Sequence, residues 1–443
     1  MVPRVRPKGF VVAGAVLSLG AFIIGFVVVA PVGSLVGGGM TLVFQRTWDA
    51  SIAGLAIGPD GSVYTAGTVF RGEPPYTPGN VTLLRWSAGG DLLWAVEWGS
   101  EGDEDARAVA VDAAGAAYVT GSLGSFGALL VKFDSAGDLV WQRSWGGDRE
   151  ESAEAVAVGP DGSVYVTGFT QSFGSYFGSA AFLLKFTPDG ALVWERTWQA
   201  PGGTVAEDVA VSAAGAVYVV GNRGFDAGTR PFLAKFTPGG DLIWDRSFIP
   251  PGFIERDTAV FRGIGATPDG GIVAVGRWMP SFDEEVLVVR FSADGALQWA
   301  RDWGGDSHEE GIDATIAADG TAYVVGRTAT FAQGLYEDIF VLKVLPSGRG
   351  TEARRWGGPN RDLGHDIALG SNGDLYVAGS ASAPPYTFGS APAQMSRVRG
   401  TAAAAGGVVE APTGVLGTPA GTAVPLVVIG TQGSAVLLRI RGG

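Results

Sequence analysis

The sequence is poor in the residues that carry most enzyme chemistry. It contains no cysteine and only two histidines among 443 residues. Without cysteine the chain has no disulfide, no thiolate nucleophile, no iron–sulfur cluster and no cysteine-bound zinc. Serine nucleophile elbows, phosphate-binding loops and dinucleotide fingerprints do not occur in a fitting context. We therefore predict no catalytic residue, and we favour a protein that is not an enzyme.

Positive charge is also scarce. The chain has 31 lysines and arginines against 44 aspartates and glutamates, a net charge of −13. Binding to nucleic acid without sequence preference depends on a basic surface that neutralises phosphates. We therefore expect no nucleic-acid partner.

Glycine, in contrast, is abundant, with 71 residues, and it marks a strand pattern that occurs seven times. The most regular strand of each repeat ends at Gly67, Gly121, Gly168, Gly221, Gly276, Gly326 and Gly379. These glycines are about 50 residues apart, which suits a four-stranded propeller blade and is too long for a solenoid rung. The third repeat, for example, divides into strands at 155–158, 163–167, 181–186 and 192–198. The pattern predicts an all-β fold, a seven-bladed β-propeller.

The two ends of the chain complement each other. Residues 435–440 match the third strand of a repeat, after which the chain stops. Residues 42–48 match the missing fourth strand, as a comparison with 139–145 shows. We expect the N-terminal strand to complete the last blade, which would leave no open edge in the ring. The propeller then occupies residues 41–443, with an irregular insert at about 380–428 that is rich in Ala, Gly and Pro.

The repeat resembles a known family. Segments such as Ala-Val-Ala-Val at 155–158, Val-Tyr-Val-Thr-Gly at 164–168, Phe-Leu-Leu-Lys-Phe at 182–186 and Leu-Val-Trp at 192–194 carry the resemblance. They are similar to the SBBP repeats of secreted bacterial and archaeal seven-bladed propellers. The resemblance covers nearly the whole chain after residue 40. It implies an extracytoplasmic propeller and no particular reaction.

The first forty residues differ from the rest. A basic flank at 1–9 precedes the run Phe10–Ala30, which carries no charge. As a helix this run would be about 30 Å long, the thickness of a bilayer core. We predict an uncleaved transmembrane signal anchor, a cytoplasmic flank and a Gly-rich stalk at 31–40. The protein is then a single-pass cell-membrane protein with an extracellular propeller.

A second interpretation of the N-terminus is open. Lys8-Gly9-Phe10 before an apolar run resembles the processing site of archaeal type IV pilin-like proteins, cut between Gly9 and Phe10. The glutamate that is common near the new N-terminus of bacterial pilins is missing. This interpretation implies self-assembly into a filament that displays the propeller.

The loops that join one blade to the next are acidic. We expect a solvated, acidic rim, which could also attract Ca²⁺ or a cationic partner. The candidate metal ligands are Glu104, Glu151, Glu309 and Asp362. No twelve-residue calcium loop is present, and we expect no other cofactor. His308 and His365 lie in the same loops.

The irregular loops carry aromatic residues. The candidates for a binding face are Tyr76, Tyr176, Phe177, Trp278, Tyr336 and Tyr386. Such a rim suits recognition of carbohydrate or peptide by stacking and shape, although the same loops could be folded onto the propeller. In contrast, a basic residue recurs at one place in every third strand, and we expect this symmetric feature to serve the fold.

Together these patterns predict a membrane-anchored, extracellular propeller that works by binding or by surface assembly. The expected partners are a surface glycan, a peptide or another surface protein, together with the membrane. Two alternatives remain open at this point. One is a pilin-like filament subunit, and the other is a secreted hydrolase or lyase that uses rim carboxylates.

Overall fold

A computed structural model describes the chain over residues 40–48, 50–70, 78–100, 102–124, 126–174, 178–224, 229–248, 258–279, 284–332, 334–381, 387–391, 396–397, 425–426 and 434–441. The expected flank, membrane segment and most of the stalk, with Gly9 and Phe10, lie outside these residues. Four of the aromatic candidates, Tyr76, Tyr176, Phe177 and Tyr386, also lie outside them. Over the described ranges, no helix is both long and apolar enough to cross a bilayer.

Seven sheets, each with a four-stranded antiparallel core, form a seven-bladed β-propeller. The first strands are β2 (Gly54–Ile57), β6 (Glu104–Val111), β10 (Glu151–Val158), β14 (Thr204–Val211), β18 (Thr258–Ala266), β22 (Glu309–Ile316) and β26 (Leu363–Leu369). The second strands are β3 (Val63–Phe70), β7 (Ala117–Leu123), β11 (Val164–Thr170), β15 (Val217–Arg223), β19 (Ile272–Met279), β23 (Ala322–Thr328) and β27 (Asp374–Ala381). The first strands of neighbouring blades contact each other around a central channel.

The outer half of each blade is formed by the third and fourth strands. The third strands are β4 (Gly79–Trp86), β8 (Ala128–Phe133), β12 (Ala180–Phe186), β16 (Arg230–Phe236), β20 (Glu285–Phe291), β24 (Asp338–Val344) and β31 (Ser434–Arg441). The fourth strands are β5 (Leu92–Trp98), β9 (Leu139–Trp145), β13 (Leu192–Trp198), β17 (Leu242–Ser247), β21 (Leu297–Trp303), β25 (Gly350–Gly357) and β1 (Thr41–Trp48). In blade seven, β1 pairs antiparallel with β31, with Thr41 opposite Arg441 and Trp48 opposite Ala435.

Because neighbouring strands in each blade are antiparallel, the connections between strands lie on two opposite faces of the propeller. Loops between second and third strands lie at the same end as the loops that join one blade to the next, and we call this end the upper face. The hairpin turns within each blade lie at the other end, the lower face. Side chains carried by the longer loops of different blades therefore share the upper face.

A β-bulge interrupts the first strand in blades two to seven. The bulged residues are Arg107, Glu154, Glu207, Arg262, Ile312 and His365. Two residues before the bulge of blade three, the carbonyl oxygen of Ser152 approaches the second strand so closely that a Cβ at Gly168 would lie 2.0 Å from it. The equivalent glycines face the same approach, which explains why glycine recurs there.

The core lies between blades. Tyr165 and Leu183 of blade three, for example, pack with Val219 and Phe232 of blade four. The other described core clusters also join adjacent blades. Stability of each blade therefore depends on its neighbours, as in other repeat proteins.

The recurring basic residues bridge neighbouring blades, and the prediction that they serve the fold is confirmed. Lys185 Nζ lies over the Tyr165 ring, 3.6 Å from Asp161 Oδ2, and donates to the carbonyl of Pro238 in the next blade at 3.1 Å. Equivalent bonds to the next blade's turn are made by Arg85, Lys132, Lys235 and Arg439. Each such side chain joins two blades on the lower face.

The insert of blade seven adds short strands to other blades. They are β28 (Thr387–Ala391), β29 (Ser396–Arg397) and β30 (Pro425–Leu426). β28 extends the sheet of blade six, β29 extends that of blade five, and β30 extends that of blade seven. The insert therefore reaches the outer edges of three consecutive blades.

Candidate functional site

The acidic residues of the upper face divide into groups with different roles. Glu104, Glu151, Glu309 and Asp362, the predicted metal ligands, are buried in four different blades. Each accepts a hydrogen bond from the backbone N–H four residues before it, as Glu309 does from Gly305 at 2.9 Å. The expectation of a uniformly solvated rim was therefore wrong for these four, because tight loops supply N–H donors that hold the carboxylates inside.

These four carboxylates do not form one site. In the part of the chain that the structure describes, no group of three or more histidines, aspartates or glutamates is arranged to hold a metal ion. Glu309 also accepts bonds from Thr328 Oγ1 and the Thr330 N–H, both at 2.9 Å. Both side-chain oxygens of Glu309 therefore already accept hydrogen bonds from nearby groups of the protein. A calcium role for any of the four stays a prediction.

A network of ion pairs covers the channel mouth over blades four to six. Glu310 is 2 % exposed and accepts bonds from Arg262 Nε at 3.0 Å and Arg327 Nη2 at 2.6 Å. Arg262 also pairs with Glu207 at 3.1 Å, and Arg327 with Glu337 at 3.2 Å. Burial alone would raise the pKa of Glu310, but the nearby arginines lower it below its usual value. On this side of the channel mouth, each charged side chain of the network therefore pairs with a side chain of opposite charge.

Three aspartates line the channel one residue beyond the bulges. Asp208, Asp313 and Asp366 accept bonds from the N–H groups of Ile264 at 2.8 Å, Ile367 at 3.2 Å and Leu55 at 2.6 Å, each in a following blade. These bonds join the first strands of neighbouring blades.

Two of these carboxyls also interact directly. The Asp313 and Asp366 side chains hydrogen bond to each other. Burial, and then the charge of Asp313, raises the pKa of Asp366 well above its usual value. Burial likewise raises the pKa of Asp208 and of Asp313. This is a pair of close carboxyls, but it lies in the channel wall and not on the rim where the hydrolase alternative would need it.

The other side of the channel mouth contains a cleft of about 540 Å³ between blades two and three. Its lining residues include Arg107, Arg149, Phe126, Phe169 and Gln171. Arg107 is the bulged residue of blade two, and its Nη2 lies 3.0 Å from Asp105 Oδ2. Gln171 donates to Glu150 Oε2 at 2.9 Å. The cleft therefore combines two aromatic rings with planar polar side chains.

Exposed aromatic side chains lie on the upper face in several blades, and one of them, Phe126, lines the cleft. Phe126 is 63 % exposed, and Phe70, Phe173 and Tyr336 are also exposed. Tyr336 is therefore on the surface, and its membership of a binding face stays a prediction. Trp278 is not on the surface, because it is only 5 % exposed and packs in the core between blades four and five. Its ring offers no surface for stacking, and its place in the candidate set was wrong.

The two histidines do not share partners. His365 Nε2 lies 3.0 Å from Ser380 Oγ, and burial, together with the charge of Arg327, lowers its pKa to about 4. His365 is therefore neutral near pH 7. His308 is largely exposed, with Nδ1 3.7 Å from Glu284 Oε2.

Sequence reasoning missed most of the cleft. Arg107, Arg149, Gln171 and Phe126 occur at positions that vary between repeats, and this irregularity was a signal that could have identified them. The position of Arg107 depends on a bulge, which turns a side chain of the first strand toward the channel mouth.

These observations define the chain as a seven-bladed β-propeller protein with a cleft on its upper face. No protein-family model matches the chain, and no curated protein matches it. Sqt1 from Chaetomium thermophilum is similar over 92% of this chain and 99% of its own, with 12% identity and a TM-score of 0.47.

Two further solved structures show a weaker likeness. Sqt1 bound to the N-terminus of the ribosomal protein L10 has 15% identity and a TM-score of 0.43, over 77% of this chain and 97% of its own. XC5397 from Xanthomonas campestris, described as a gluconolactonase, has 12% identity and a TM-score of 0.37, over 79% of this chain and 96% of its own. Likenesses of this size carry no argument about the function of this chain.

Proposed function

We propose that the protein is a membrane-anchored, extracellular propeller that binds a neutral carbohydrate in the cleft between blades two and three. The observation that carries this proposal is the composition of the cleft, where Phe126 and Phe169 lie beside Arg107, Arg149 and Gln171. Aromatic faces stack on the apolar faces of sugar rings, and planar polar groups satisfy hydroxyls in pairs.

The shape of the channel mouth supports this location. Over blades four to six the mouth is covered by the network around Glu310, whose carboxylate accepts bonds from two arginines. A ligand there would have to break buried ion pairs, which is costly. The cleft requires no such rearrangement, because its volume of about 540 Å³ is already open.

The charge of the protein favours a neutral ligand over a polyanion. The protein carries a net charge of −13, which disfavours the approach of a polyanion. The cleft itself includes Asp148 and Glu150 beside its two arginines. A neutral sugar can use both kinds of group, since its hydroxyls donate as well as accept. A peptide is the alternative occupant that the same test detects.

The test is calorimetric titration with neutral oligosaccharides, acidic oligosaccharides and mixed peptides. We expect Phe126→Ala to weaken binding about tenfold, the loss of one stacking contact. Phe70→Ala is the matched control, because Phe70 is equally exposed but lies in blade one and does not line the cleft. Binding of peptides alone, or equal losses in both variants, would exclude the carbohydrate site.

We also propose that Phe10–Ala30 anchors the protein in the membrane with the propeller outside the cell. The support is the length of the uncharged run and the basic residues Arg4, Arg6 and Lys8 before it. Intact mass and N-terminal sequencing of the protein from native membranes test this. A chain that retains the Met1 region supports the anchor, whereas a chain that begins at Phe10 supports the pilin-like filament subunit.

We further propose that β1 closes the ring and that the repeats belong with the SBBP type. Two contacts between blades seven and one support the closure, in addition to the pairing of β1 with β31. Asp366 accepts the Leu55 N–H, and Arg439 donates to the Ala88 carbonyl. Deleting residues 1–48 should then prevent folding of the whole propeller and not of one blade alone, as hydrogen exchange would show.

A further inference from the structure

The cleft between blades two and three and the network around Glu310 occupy equivalent places in the ring. In blade six, Glu310 of the first strand lies opposite Arg327 of the second. Ser152 has the same position in blade three, opposite Phe169. Both pairs come directly before the pair that contains the recurring glycine. A serine therefore stands in the cleft where a glutamate stands in the network.

The blade before supplies an arginine in both places. Arg262 is the bulged residue of blade five, and Arg107 is that of blade two. Arg262 reaches the next blade, where its Nε donates to Glu310 Oε1 at 3.0 Å. Arg107 and Ser152 both line the cleft. An arginine thus lies beside a position where blade six has a carboxylate and blade three has only a serine hydroxyl.

The hydroxyl of Ser152 is available to a ligand. Ser152 is 5 % exposed, and among the residues that the structure describes its Oγ has no hydrogen-bond partner. A buried polar group without a partner is unfavourable, so a ligand that bonds to it gains affinity. Serine in place of glutamate also frees the space of a methylene and a carboxyl group. Room and hydrogen-bonding capacity therefore coincide at this point of the cleft.

The charges around this point select the kind of group that fits. In the network, Arg327 Nη2 donates to Glu310 at 2.6 Å and adds its positive charge to that of the bulged arginine. In the cleft the counterpart of Arg327 is the ring of Phe169. Arg107 already pairs with Asp105 at 3.0 Å. A ligand carboxylate would therefore lack the positive charge that balances Glu310, whereas an uncharged planar acceptor with an apolar part would suit both the arginine and the ring.

We propose that the cleft binds the acetamido group of an N-acetylated sugar, an inference that rests on the proposed carbohydrate site and narrows its ligand class. The amide carbonyl is planar and uncharged, and it accepts hydrogen bonds from the guanidinium of Arg107. The Ser152 hydroxyl bonds to the same amide, and the methyl group packs against Phe169. Phe126 stays exposed for stacking on the sugar ring. A sugar hydroxyl at the same carbon offers neither the planar acceptor nor the methyl group.

Two series of oligosaccharides differ only in this group. Chito-oligosaccharides share the backbone of cello-oligosaccharides but carry an acetamido group in place of the hydroxyl at the second carbon of each sugar. Calorimetric titration compares chains of equal length on the full-length protein, in a detergent without a sugar head group. We expect the acetylated chain to bind about tenfold more tightly, because a site built to bond a polar group discriminates against the analogue that lacks it.

Ser152→Ala separates the acetamido contact from stacking. The variant removes only the hydroxyl, so we expect it to weaken binding of the acetylated chain about tenfold and to leave the affinity for the unacetylated chain unchanged. The same titrations measure both. The preference of the wild type for the acetylated chain should therefore be lost in this variant.

Ser152→Glu restores the residue type that blade six has at this position. The new carboxylate should pair with Arg107 as Glu310 pairs with Arg262, so we expect binding of both chains to be abolished while the unfolding midpoint does not fall. Val205→Glu is the matched control, because Val205 has the same position in blade four and does not line the cleft. This control should bind both chains as the wild type does.

The outcomes distinguish this inference from the proposed function. Equal affinities of the wild type for the two chains, or an equal loss for both in Ser152→Ala, would overturn the acetamido inference and leave the neutral-sugar site in place. Binding of another neutral oligosaccharide but not of the acetylated chain would do the same. Binding of peptides and of no sugar would overturn both the inference and the proposed function.

Discussion

The guanidinium of Arg439, in the last strand of the chain, donates a hydrogen bond of 2.9 Å to the carbonyl oxygen of Ala88. Lys132 makes the equivalent bond to Pro188, also at 2.9 Å, between blades two and three. A contact that elsewhere joins neighbouring repeats therefore also joins the last blade to the first. Arg439 differs in one respect, because its carboxylate partner Asp374 is only 1 % exposed.

Replacing Arg439 should therefore cost more than replacing its counterparts. Arg439→Met keeps an apolar stem but removes the charge beside Asp374, and we expect a loss of about 3 kcal/mol in the free energy of unfolding. Lys185→Met is the matched control. Its partner Asp161 is largely exposed, so we expect a loss of about 1 kcal/mol or less. Denaturant unfolding measures both, and equal losses would contradict the special role of Arg439.

The channel aspartates predict how stability depends on pH. The pKa of Asp366 in the folded protein is raised well above its ordinary value of 3.8. The folded state therefore holds this proton more tightly than the unfolded state, so stability falls as the pH rises above about 4 until the folded pKa is passed. Asp366→Asn can still accept the Leu55 N–H, and it should flatten this decline.

Asp161→Asn is a control, because the contribution of Asp161 to stability should change with pH in the opposite direction. Burial is the largest single influence on the pKa of Asp161 and would raise it, but the hydrogen bonds from Ser163 and the charge of Lys185 together outweigh burial and lower the pKa. Its contribution is present above pH 4 and is lost as the pH falls through the folded pKa. Thermal unfolding from pH 3 to pH 8 compares the two variants. A steeper loss of stability with rising pH in Asp366→Asn would refute the assignment.

The buried loop carboxylates give a third prediction. Glu309→Ala would leave the Gly305 and Thr330 N–H groups without their acceptor, at a cost of about 2–3 kcal/mol in the free energy of unfolding. Because these donors already occupy the carboxylate, we expect neither added Ca²⁺ nor a chelator to change the unfolding midpoint of the wild type. A rise of several degrees with Ca²⁺ would instead favour the calcium site.

The recurring glycine gives a fourth prediction. Gly168→Ala would place its Cβ 2.0 Å from the Ser152 carbonyl oxygen, so the bulge would have to be rebuilt. We expect a loss of more than about 3 kcal/mol in the free energy of unfolding or a failure to fold. Gly61→Ala is the control, because its Cβ would meet nothing within 4 Å and only the positive φ of 79° opposes it. That variant should lose only about 1 kcal/mol.

The sequence predicted the fold best at positions where the local backbone conformation admits only one type of residue. Gly168 and its equivalents could be recognised because only glycine fits against the backbone carbonyl that approaches each of them, and their spacing predicted the blades. The basic residues such as Lys185 followed from strand alternation. Both features are local and are repeated seven times, so each repeat supported the prediction from the others.

The parts that could not be predicted depend on contacts between distant segments. Glu309 is acidic in the sequence, but only the folded loop shows that N–H donors surround it. Trp278 belongs to a loop-like stretch, yet it packs in the core between two blades. The cleft requires Arg107 of blade two to meet Arg149 of the next loop. The pairing of β28 with β25 is likewise set by the fold and not by local pattern.

The added strands β28, β29 and β30 have a consequence for the ring as a whole. Seven similar blades alone would make all sides of the perimeter alike, but within the described residues added strands cover the arc of blades five to seven and leave the arc of blades one to four bare. The ion pairs around Glu310 lie toward the covered arc, whereas the cleft lies over the bare one. The ring is therefore asymmetric around its perimeter, with the charged network toward the blades that carry added strands and the cleft on the other side.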